Sequence, residues 1–333
     1  MFQVDSCRLP WPADRLGDDE RRIMSSIASG TVLITGPTGA LGKAATLAMA
    51  SRPAAERPDL LLVGRDSPAL AEVTHEARAA RATASGIGCD LGRLADVRAA
   101  GKKARELLDA GTVRPLRALV ANAGISVLDT HNASADGYES SFAVNHLAHA
   151  QLIGDLLDSF VAPARIVLLG SNTHYRNFFR WMLQVPPADW RDPIELAQPA
   201  PPDVPASMKL GGIAYSDSKL AIIYYAHELQ RRAPAGINVS VFEPGFMPGT
   251  GITRDHSPAV QRMARAAARI PGVSSPTKSG PILASIVLDD RWAHLRGGAY
   301  IVKTTERDVK AFANDPEREA RLWEATAELL DRA

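Results

Sequence analysis

Short β-branched or leucine-rich runs alternate along this chain with longer segments of helical period, and this alternation limits its fold more than any other feature. Repeated strand–helix units predict a parallel sheet, because parallel strands need a crossover and a helix supplies it. Seven runs have the length and composition of strands: Val32–Thr35, Leu60–Val63, Thr83–Cys89, Ala118–Ala121, Arg165–Leu169, Asn238–Phe242 and Ala299–Val302. The sequence therefore predicts an α/β fold with one doubly wound (Rossmann), mainly parallel, seven-stranded sheet and helices on both faces.

The segments between these strands have the apolar spacing of helices. Helices are predicted at Ala40–Ser51, Pro68–Ala82, Leu94–Ala110, Gly137–Ser159 and Ala214–Arg232. A length of 333 residues would suit two domains, but the strands read as one sheet, so we expect a single domain over residues 30–305. Residues 1–29 form a predicted N-terminal extension, and residues 306–333 a predicted helical tail packed on the domain.

A proline-rich segment interrupts the alternation at residues 172–212. Its prolines are too many for a long helix or a central strand, so we interpret it as an insertion. It is rich in large apolar side chains, namely Tyr175, Phe178, Phe179, Trp181, Met182 and Trp190. A lid over a bulky apolar substrate is one hypothesis, and a loop that uses its aromatic side chains to pack itself is the alternative.

Composition excludes several classes of protein. Hydrophobic residues make up 46% of the chain and charged residues 23%, as in an ordinary globular protein. The 38 Lys and Arg balance 37 Asp and Glu, so no net field attracts nucleic acid or anionic lipid. Cys7 and Cys89 form neither a disulfide framework nor a metal-ligand cluster, and no apolar run reaches the ~18 residues of a membrane span. We expect a cytoplasmic protein that acts on a small molecule, with no metal.

The first predicted strand runs directly into a glycine-rich loop, and an alanine-rich helix follows. The loop reads Thr35-Gly36-Pro37-Thr38-Gly39-Ala40-Leu41-Gly42. Gly36 permits a tight turn, Gly39 lets the backbone approach a pyrophosphate, and Gly42 lets helix and strand pack closely. The helix N-terminus offers backbone amides to the anion. A turn without a ligand is the alternative, but the strand before the loop and the helix after it favour dinucleotide binding.

The end of the second strand bears on which dinucleotide binds. An acidic side chain there would bond the free ribose 2′-hydroxyl of NAD, but the chain reads Gly64-Arg65-Asp66. Arg65 can pair with a 2′-phosphate through its planar guanidinium, which favours NADP(H). Asp66 leaves NAD(H) open, and a solvated surface arginine is the alternative interpretation of Arg65.

Candidate proton-transfer groups come from three parts of the chain. Tyr215 and Lys219 lie four positions apart in a predicted helix and so share one face. A phenol with a reference pKa of about 10 is a poor base at neutral pH, and a neighbouring ammonium favours its phenolate. Ser171 follows a predicted strand at the ligand-binding edge of the sheet, and Asn145 lies in an apolar helix face where its amide needs a partner. A chance helix pair, a turn serine and an amide bound to a backbone carbonyl are the alternatives.

In kind and in order along the chain, these residues resemble the short-chain dehydrogenase/reductase family. The motifs that carry the resemblance are Thr35-Gly36 with Gly39 and Gly42, Asp90-Leu91, Asn122-Ala123-Gly124, Asn145-His146, Ser171, Tyr215-Ser216-Asp217-Ser218-Lys219 and Pro244-Gly245. The resemblance covers about residues 31–302 and implies a catalytic tetrad of Asn145, Ser171, Tyr215 and Lys219. It further implies that Asn122, Ala123 and Gly124 line the cofactor and that Asp90, with Leu91 beside it, meets the adenine. Pro244, Gly245 and Thr250 would lie near the nicotinamide.

The long separation of Ser171 from Tyr215 resembles the retinol dehydrogenase and light-dependent protochlorophyllide reductase branch. Phe246 stands where the latter enzymes have a cysteine implicated in their chemistry, so we expect a relative rather than that activity. The expected function is NADP(H)-dependent interconversion of a carbonyl and an alcohol, or reduction of a double bond, on a bulky apolar molecule.

Two other functions stay open: an epimerase or dehydratase of the same family, and a catalytically idle cofactor-binding protein. Family members often pair through the helix that holds the tyrosine. A homodimer or homotetramer is therefore expected unless the C-terminal tail prevents it.

Overall fold

A single eight-stranded sheet organises the chain, whose computed structural model describes residues 27–127, 129–175, 187–247 and 273–333. The strands are β1 Thr31–Thr35, β2 Asp59–Gly64, β3 Ala84–Gly88, β4 Leu116–Ala121, β5 Phe160–Leu169, β6 Ile237–Glu243, β7 Ala299–Val302 and β8 Thr305–Arg307. Their order is β3-β2-β1-β4-β5-β6-β7-β8. The first seven pair in parallel, and β8 pairs antiparallel with β7. The predicted α/β fold is confirmed, but the predicted count of seven strands misses β8, which is short, polar and exposed.

Helices flank the sheet. They are α1 Ala40–Ala50, α2 Pro68–Ala79, α3 Leu94–Asp109, α4 Ser140–Leu156, α5 Pro193–Leu196, α6 Met208–Arg232, α7 Pro276–Leu288 and α8 Pro316–Arg332. Helix α4 has three parts: Ser140–Phe142, a π-helical turn Ala143–Leu147, and Ala148–Leu156. Several of these helices start at a capping side chain: Ser207, for example, accepts the Leu210 amide at the start of α6. The helix predicted over Gly137–Ser159 instead begins at Ser140, because the Glu139 carboxylate accepts the Ser141 and Phe142 amides.

Both faces of the sheet are buried, as expected for parallel strands between helical layers. Alternate residues of β1 show the arrangement. Leu33 joins an apolar cluster with residues of α3, α4 and α6, whereas Val32 and Ile34 join a second cluster with residues of α1, α2 and α7. The sheet is thus the middle of three layers, and the carboxyl ends of its central strands meet at one edge.

The C-terminal helix α8 packs against α6. Leu322, Ala325 and Leu329 lie on one stripe and are fully buried, and Trp323 stacks on Tyr225 with 5.3 Å between ring centroids. The buried Glu319 carboxylate accepts bonds from His227 and Arg231, 2.6 Å each. Within the four described ranges, no helix is both long and apolar enough to cross a membrane.

Candidate functional site

The glycine loop joins β1 to α1 and is built for close backbone approach. Gly36 has φ +64°, the left-handed region that favours glycine. A Cβ at Gly42 would collide with the Gly36 carbonyl oxygen and lie 2.7 Å from Asn122 Nδ2, so no larger residue fits there without movement. Gly39 is the N-cap of α1 and has no capping side chain, which leaves the first-turn amides to face the loop. This cradle suits an anion at the helix N-terminus.

Thr35, the last residue of β1, ties this loop to the end of β4. Its Oγ1 accepts the backbone amides of Asn122 and Ala123, both at 3.0 Å. The Asn122 side chain in turn donates to the carbonyl oxygens of Thr35 and Gly36, at 2.8 and 3.1 Å. The Asn122-Ala123-Gly124 motif therefore lies directly beside the glycine loop.

The residues predicted to hold the adenosine end lie at the same edge. Arg65 and Asp66 follow β2 with exposed side chains, and Asp90 is also exposed beyond β3. Asp90 Oδ1 accepts the Gly92 amide at 2.9 Å, which fixes the turn after that strand. Leu91 is 9% exposed and packs against the apolar core beside Asp90.

Asn145 lies in the π-helical turn of α4 with no exposed surface. Its Nδ2 donates to the Ile125 carbonyl and to Ser218 Oγ, both at 2.9 Å, and its Oδ1 accepts the Ile125 amide at 2.8 Å. Ser218 Oγ donates to the Tyr215 carbonyl at 2.7 Å. The Asn145 side chain therefore joins the loop after β4 to the helix that bears Tyr215. Both the Oδ1 and the Nδ2 of the Asn145 side chain are used in these bonds.

Tyr215 and Lys219 lie on the same side of α6, with the Lys219 Nζ 5.7 Å from the centroid of the Tyr215 ring. Lys219 is 4% exposed, and its ammonium donates to the Leu169 carbonyl at 2.8 Å, at the end of β5. Burial lowers the pKa of Lys219 to about 8. A Cβ at Gly124 would lie 3.6 Å from this Nζ and 3.2 Å from Asn145 Oδ1. The structure thus brings Gly124, Asn145 and Lys219 together beside Tyr215.

Ser171 lies two residues beyond β5, next to the carbonyl that holds Lys219. Its Oγ accepts the Thr173 amide at 3.3 Å, and its carbonyl accepts the Nδ1–H of His174 at 2.7 Å. The His174 ring contacts Phe312, with 6.0 Å between centroids. Ser171 therefore belongs to the same edge of the sheet as Lys219, with aromatic side chains on its outer side.

Pro244 and Gly245 follow β6, where Gly245 has φ +84°. Glu243, just before them, is 4% exposed and accepts the Tyr300 hydroxyl at 2.7 Å, and burial raises the pKa of its carboxyl group. Tyr300 packs on Gly170, where a Cβ would lie 3.2 Å from its ring. Thr250, the remaining predicted cofactor residue, lies outside the described residues, as do Phe178, Phe179, Trp181 and Met182 of the insertion.

The middle of the insertion docks on α6 through Asp217, a residue between Tyr215 and Lys219. Asp217 Oδ1 accepts the Asp189 amide at 2.7 Å. Burial raises the pKa of Asp217 to about 8. Trp190 contacts the Tyr224 ring edge-on, 4.8 Å between centroids. These contacts fasten residues 189 and 190 to the helix that bears the candidate proton donor.

Sequence reasoning gave no role to three residues of this network: Thr35 and Ser218, which it named only as members of motifs, and His149, whose Nε2 lies 2.9 Å from Thr35 Oγ1. Thr35 had a signal, since it is the last strand residue before the glycines. Ser218 had one too, because it lies beside Lys219 in the motif. His149 had none, because a lone histidine within a helix is more often structural.

Comparisons with known proteins identify relatives of this chain. The short chain dehydrogenase family matches residues 30–182. The chloroplast protochlorophyllide reductase A of Oryza sativa subsp. japonica is 29% identical over 329 residues, which cover 92% of this chain and 81% of the rice protein. A Streptomyces sp. (strain C5) protein described as a daunorubicin C-13 ketoreductase is 32% identical over 65% of each chain.

Solved structures share the fold. A short chain dehydrogenase of Burkholderia cenocepacia J2315, solved with NADP, has a TM-score of 0.58 at 20% identity and covers 84% of this chain and 98% of its own. The family match, the relatives and the parallel sheet all agree with the motifs along the chain. The chain therefore belongs to the short-chain dehydrogenase/reductase family of NAD(P)-dependent oxidoreductases.

Proposed function

We propose that this protein is an NADP(H)-dependent reductase or dehydrogenase that interconverts a carbonyl and an alcohol, or reduces a double bond, on a bulky apolar molecule. The observation that carries the proposal is the buried ammonium of Lys219 beside the Tyr215 ring, held at the sheet edge by the Leu169 carbonyl. The names of the two relatives above, a reductase and a ketoreductase, support reduction as the chemistry.

The residues fit a dinucleotide. The cradle formed by Gly36 and Gly42 admits only backbone, and the uncapped start of α1 directs amides toward it, which suits a pyrophosphate. Arg65 at the end of β2 is exposed and would pair with a 2′-phosphate. When bound, the nicotinamide supplies or accepts the hydride.

The protein's own groups would manage the proton. With a pKa of about 8, Lys219 is mostly protonated at neutral pH, so its charge favours the phenolate of Tyr215 and lets this phenol exchange a proton with the substrate oxygen. Ser171 would hold that oxygen by a hydrogen bond. Asn145 would hold the Tyr215 helix and the loop after β4 in register, through Ser218 and Ile125.

The apolar substrate class rests on side chains at the rim of the site. Ile125, whose backbone is bound by Asn145, is 38% exposed, and Phe312, which contacts the His174 ring, is 42% exposed. Large apolar side chains exposed near a polar centre are the expected lining for an apolar ligand.

The test is the Tyr215→Phe variant with NADPH and a panel of bulky aromatic and polycyclic ketones and enones, in the dark and in light. We expect kcat to fall by about 10²- to 10⁴-fold, because the general acid is lost. The Kd for NADPH, measured by its fluorescence, should change little. Tyr225→Phe, on the same helix but facing α8, is the matched control and should keep full turnover. Wild-type turnover retained by Tyr215→Phe would contradict the proposal, as would a wild-type protein that turns over nothing in the panel.

A further inference from the structure

We propose that His149 is a positioning residue that couples the cofactor loop to Asn145, an inference that rests on the proposed function. His149 lies in α4, one turn after Asn145, and is 2% exposed. Its ring joins two parts of the site that are far apart in sequence. The role follows from the bonds at its two nitrogens.

The ring nitrogens of His149 have one partner each. Nε2 lies 2.9 Å from Thr35 Oγ1, at the start of the glycine loop. Nδ1 lies 3.1 Å from the Asn145 carbonyl oxygen. Thr35 Oγ1 also accepts hydrogen bonds from the amides of Asn122 and Ala123. The Asn145 side chain bonds both the amide and the carbonyl of Ile125. The hydrogen bonds therefore close a ring from β1 through the loop after β4 to α4 and back.

Counting donors fixes the direction of each bond. The Asn145 carbonyl can only accept, so Nδ1 of His149 carries the proton. A neutral ring then has Nε2 as an acceptor. Thr35 Oγ1 has two lone pairs, both occupied by backbone amides, so its hydrogen points to His149 Nε2; the other acceptor within reach, the Val120 carbonyl, is farther away at 3.4 Å.

The surroundings keep the ring neutral. Burial, with a smaller contribution from the charge of Lys219, lowers the pKa of His149 to about 4. A protonated ring would present two donors, and the Thr35 hydrogen would lose its acceptor. Every group in the ring of bonds thus has one orientation, which lets a shift of the glycine loop reach Asn145.

The π-helical turn gives this coupling a target. Asn145 lies within that turn, where backbone bonds run to the fifth residue, as in Ala148 N to Ala143 O. The His149 ring bonds the backbone carbonyl of Asn145, while the side chain of Asn145 bonds Ile125 and Ser218. Without the imidazole, Thr35 and Asn145 would each lose a buried partner.

The test compares His149→Phe, which keeps the size of the ring but neither nitrogen, with Thr35→Val, the double variant, and Thr326→Val as control. Thr326 bonds His146, the neighbouring buried histidine, at 2.7 Å from the α8 side. Two readouts are taken: hydrogen exchange of the amides of Asn122, Ala123 and Ile125 in the cofactor-free protein, and kcat with the Kd for NADPH.

We expect His149→Phe to speed exchange of these amides and to lower kcat by about ten- to hundredfold, with a smaller change in Kd. The double variant should be little worse than Thr35→Val alone, because both changes break one coupled ring. Thr326→Val should leave the three amides protected.

His149→Gln and His149→Asn keep the test decisive if His149→Phe does not fold. Gln can still accept from Thr35, whereas Asn reaches only the Asn145 carbonyl, so Gln should restore more protection and more turnover. Unchanged exchange and kcat in His149→Phe, or additive effects with Thr35→Val, would overturn the inference. A wild-type protein without turnover would refute the proposed function alone, since the exchange readout needs no substrate.

Discussion

Arg65 is the residue on which cofactor choice depends. It follows the end of β2 with an exposed side chain, where a 2′-phosphate would lie if the pyrophosphate sits in the glycine cradle. We predict that Arg65→Ala raises the Kd for NADPH by about ten- to hundredfold, because a charge-assisted bond is lost, and leaves the Kd for NADH nearly unchanged. Fluorescence titration with both cofactors measures this.

Arg307→Ala is the matched control for that titration, because it removes the same charge from β8, the strand at the edge of the sheet farther from β2. It should alter neither Kd. Equal weakening of NADPH and NADH binding by Arg65→Ala would show that Arg65 does not read the 2′-phosphate.

Asp217 gives the fold a dependence on pH. Its pKa of about 8 lies above the ordinary value of 3.8, so the folded state binds the proton more tightly than the unfolded state. The stability that this proton confers is fully present below pH ~4 and is lost as pH rises toward 8, at about 1.4 kcal/mol per pH unit. Asp217→Asn mimics the protonated form and can still accept the Asp189 amide. We predict that its stability advantage over wild type grows from pH 5 to pH 8.

Urea unfolding at several pH values between 5 and 8 measures that advantage. Asp331→Asn, an exposed carboxylate near the C-terminus, is the control and should show no such trend. If the free energies of unfolding of Asp217→Asn and wild type ran parallel across this range, Asp217 would be ionised in the folded protein.

Among the elements, α4 shows what a sequence pattern can predict and what it cannot. Apolar spacing indicates a helix in this region, and the resemblance singles out Asn145 within it. The same spacing does not reveal the π-helical turn around Asn145, because a turn one residue wider depends on the contacts of Ile125, Ser218 and His149 with it. Those partners lie far away in sequence or look like ordinary helix residues.

The C-terminal helix α8 contributes to the core of the domain rather than lying loosely on it. Leu322 is fully buried in the cluster that also holds residues of α4 and α6. We predict that Leu322→Ala lowers the free energy of unfolding by about 2–5 kcal/mol, since it opens a cavity in a packed core. Chemical unfolding followed by far-UV circular dichroism measures the loss.

Glu324→Ala is the control for α8, because its side chain is exposed on the opposite face of the same helix. It should cost under about 0.5 kcal/mol. A Leu322→Ala protein as stable as wild type, or one in which α8 melts in a separate earlier transition, would show that the helix is not part of the cooperative unit.

At the scale of the whole molecule, the parallel direction of the strands and the edge that carries the candidate site could be predicted from the sequence. Alternating periods indicate parallel strands, and motifs after β1, β4 and β5 must then meet at one edge. The bonds among Thr35, His149 and Asn145 could not be predicted, because they depend on side-chain directions that the packing of α4 on the sheet decides. β8 could not be predicted either, because Thr-Glu-Arg has no apolar alternation.

That short strand has a wider significance for how copies of the protein behave together. A parallel sheet that ended at β7 would present the unpaired backbone of a largely apolar strand, and such a border invites another chain to add itself. β8 folds back onto β7 and turns outward only Thr305, Glu306 and Arg307, all exposed. Polar and charged side chains on a very short last strand discourage further pairing. At this edge of the sheet, β8 thus disfavours the addition of a strand from a second copy of the chain.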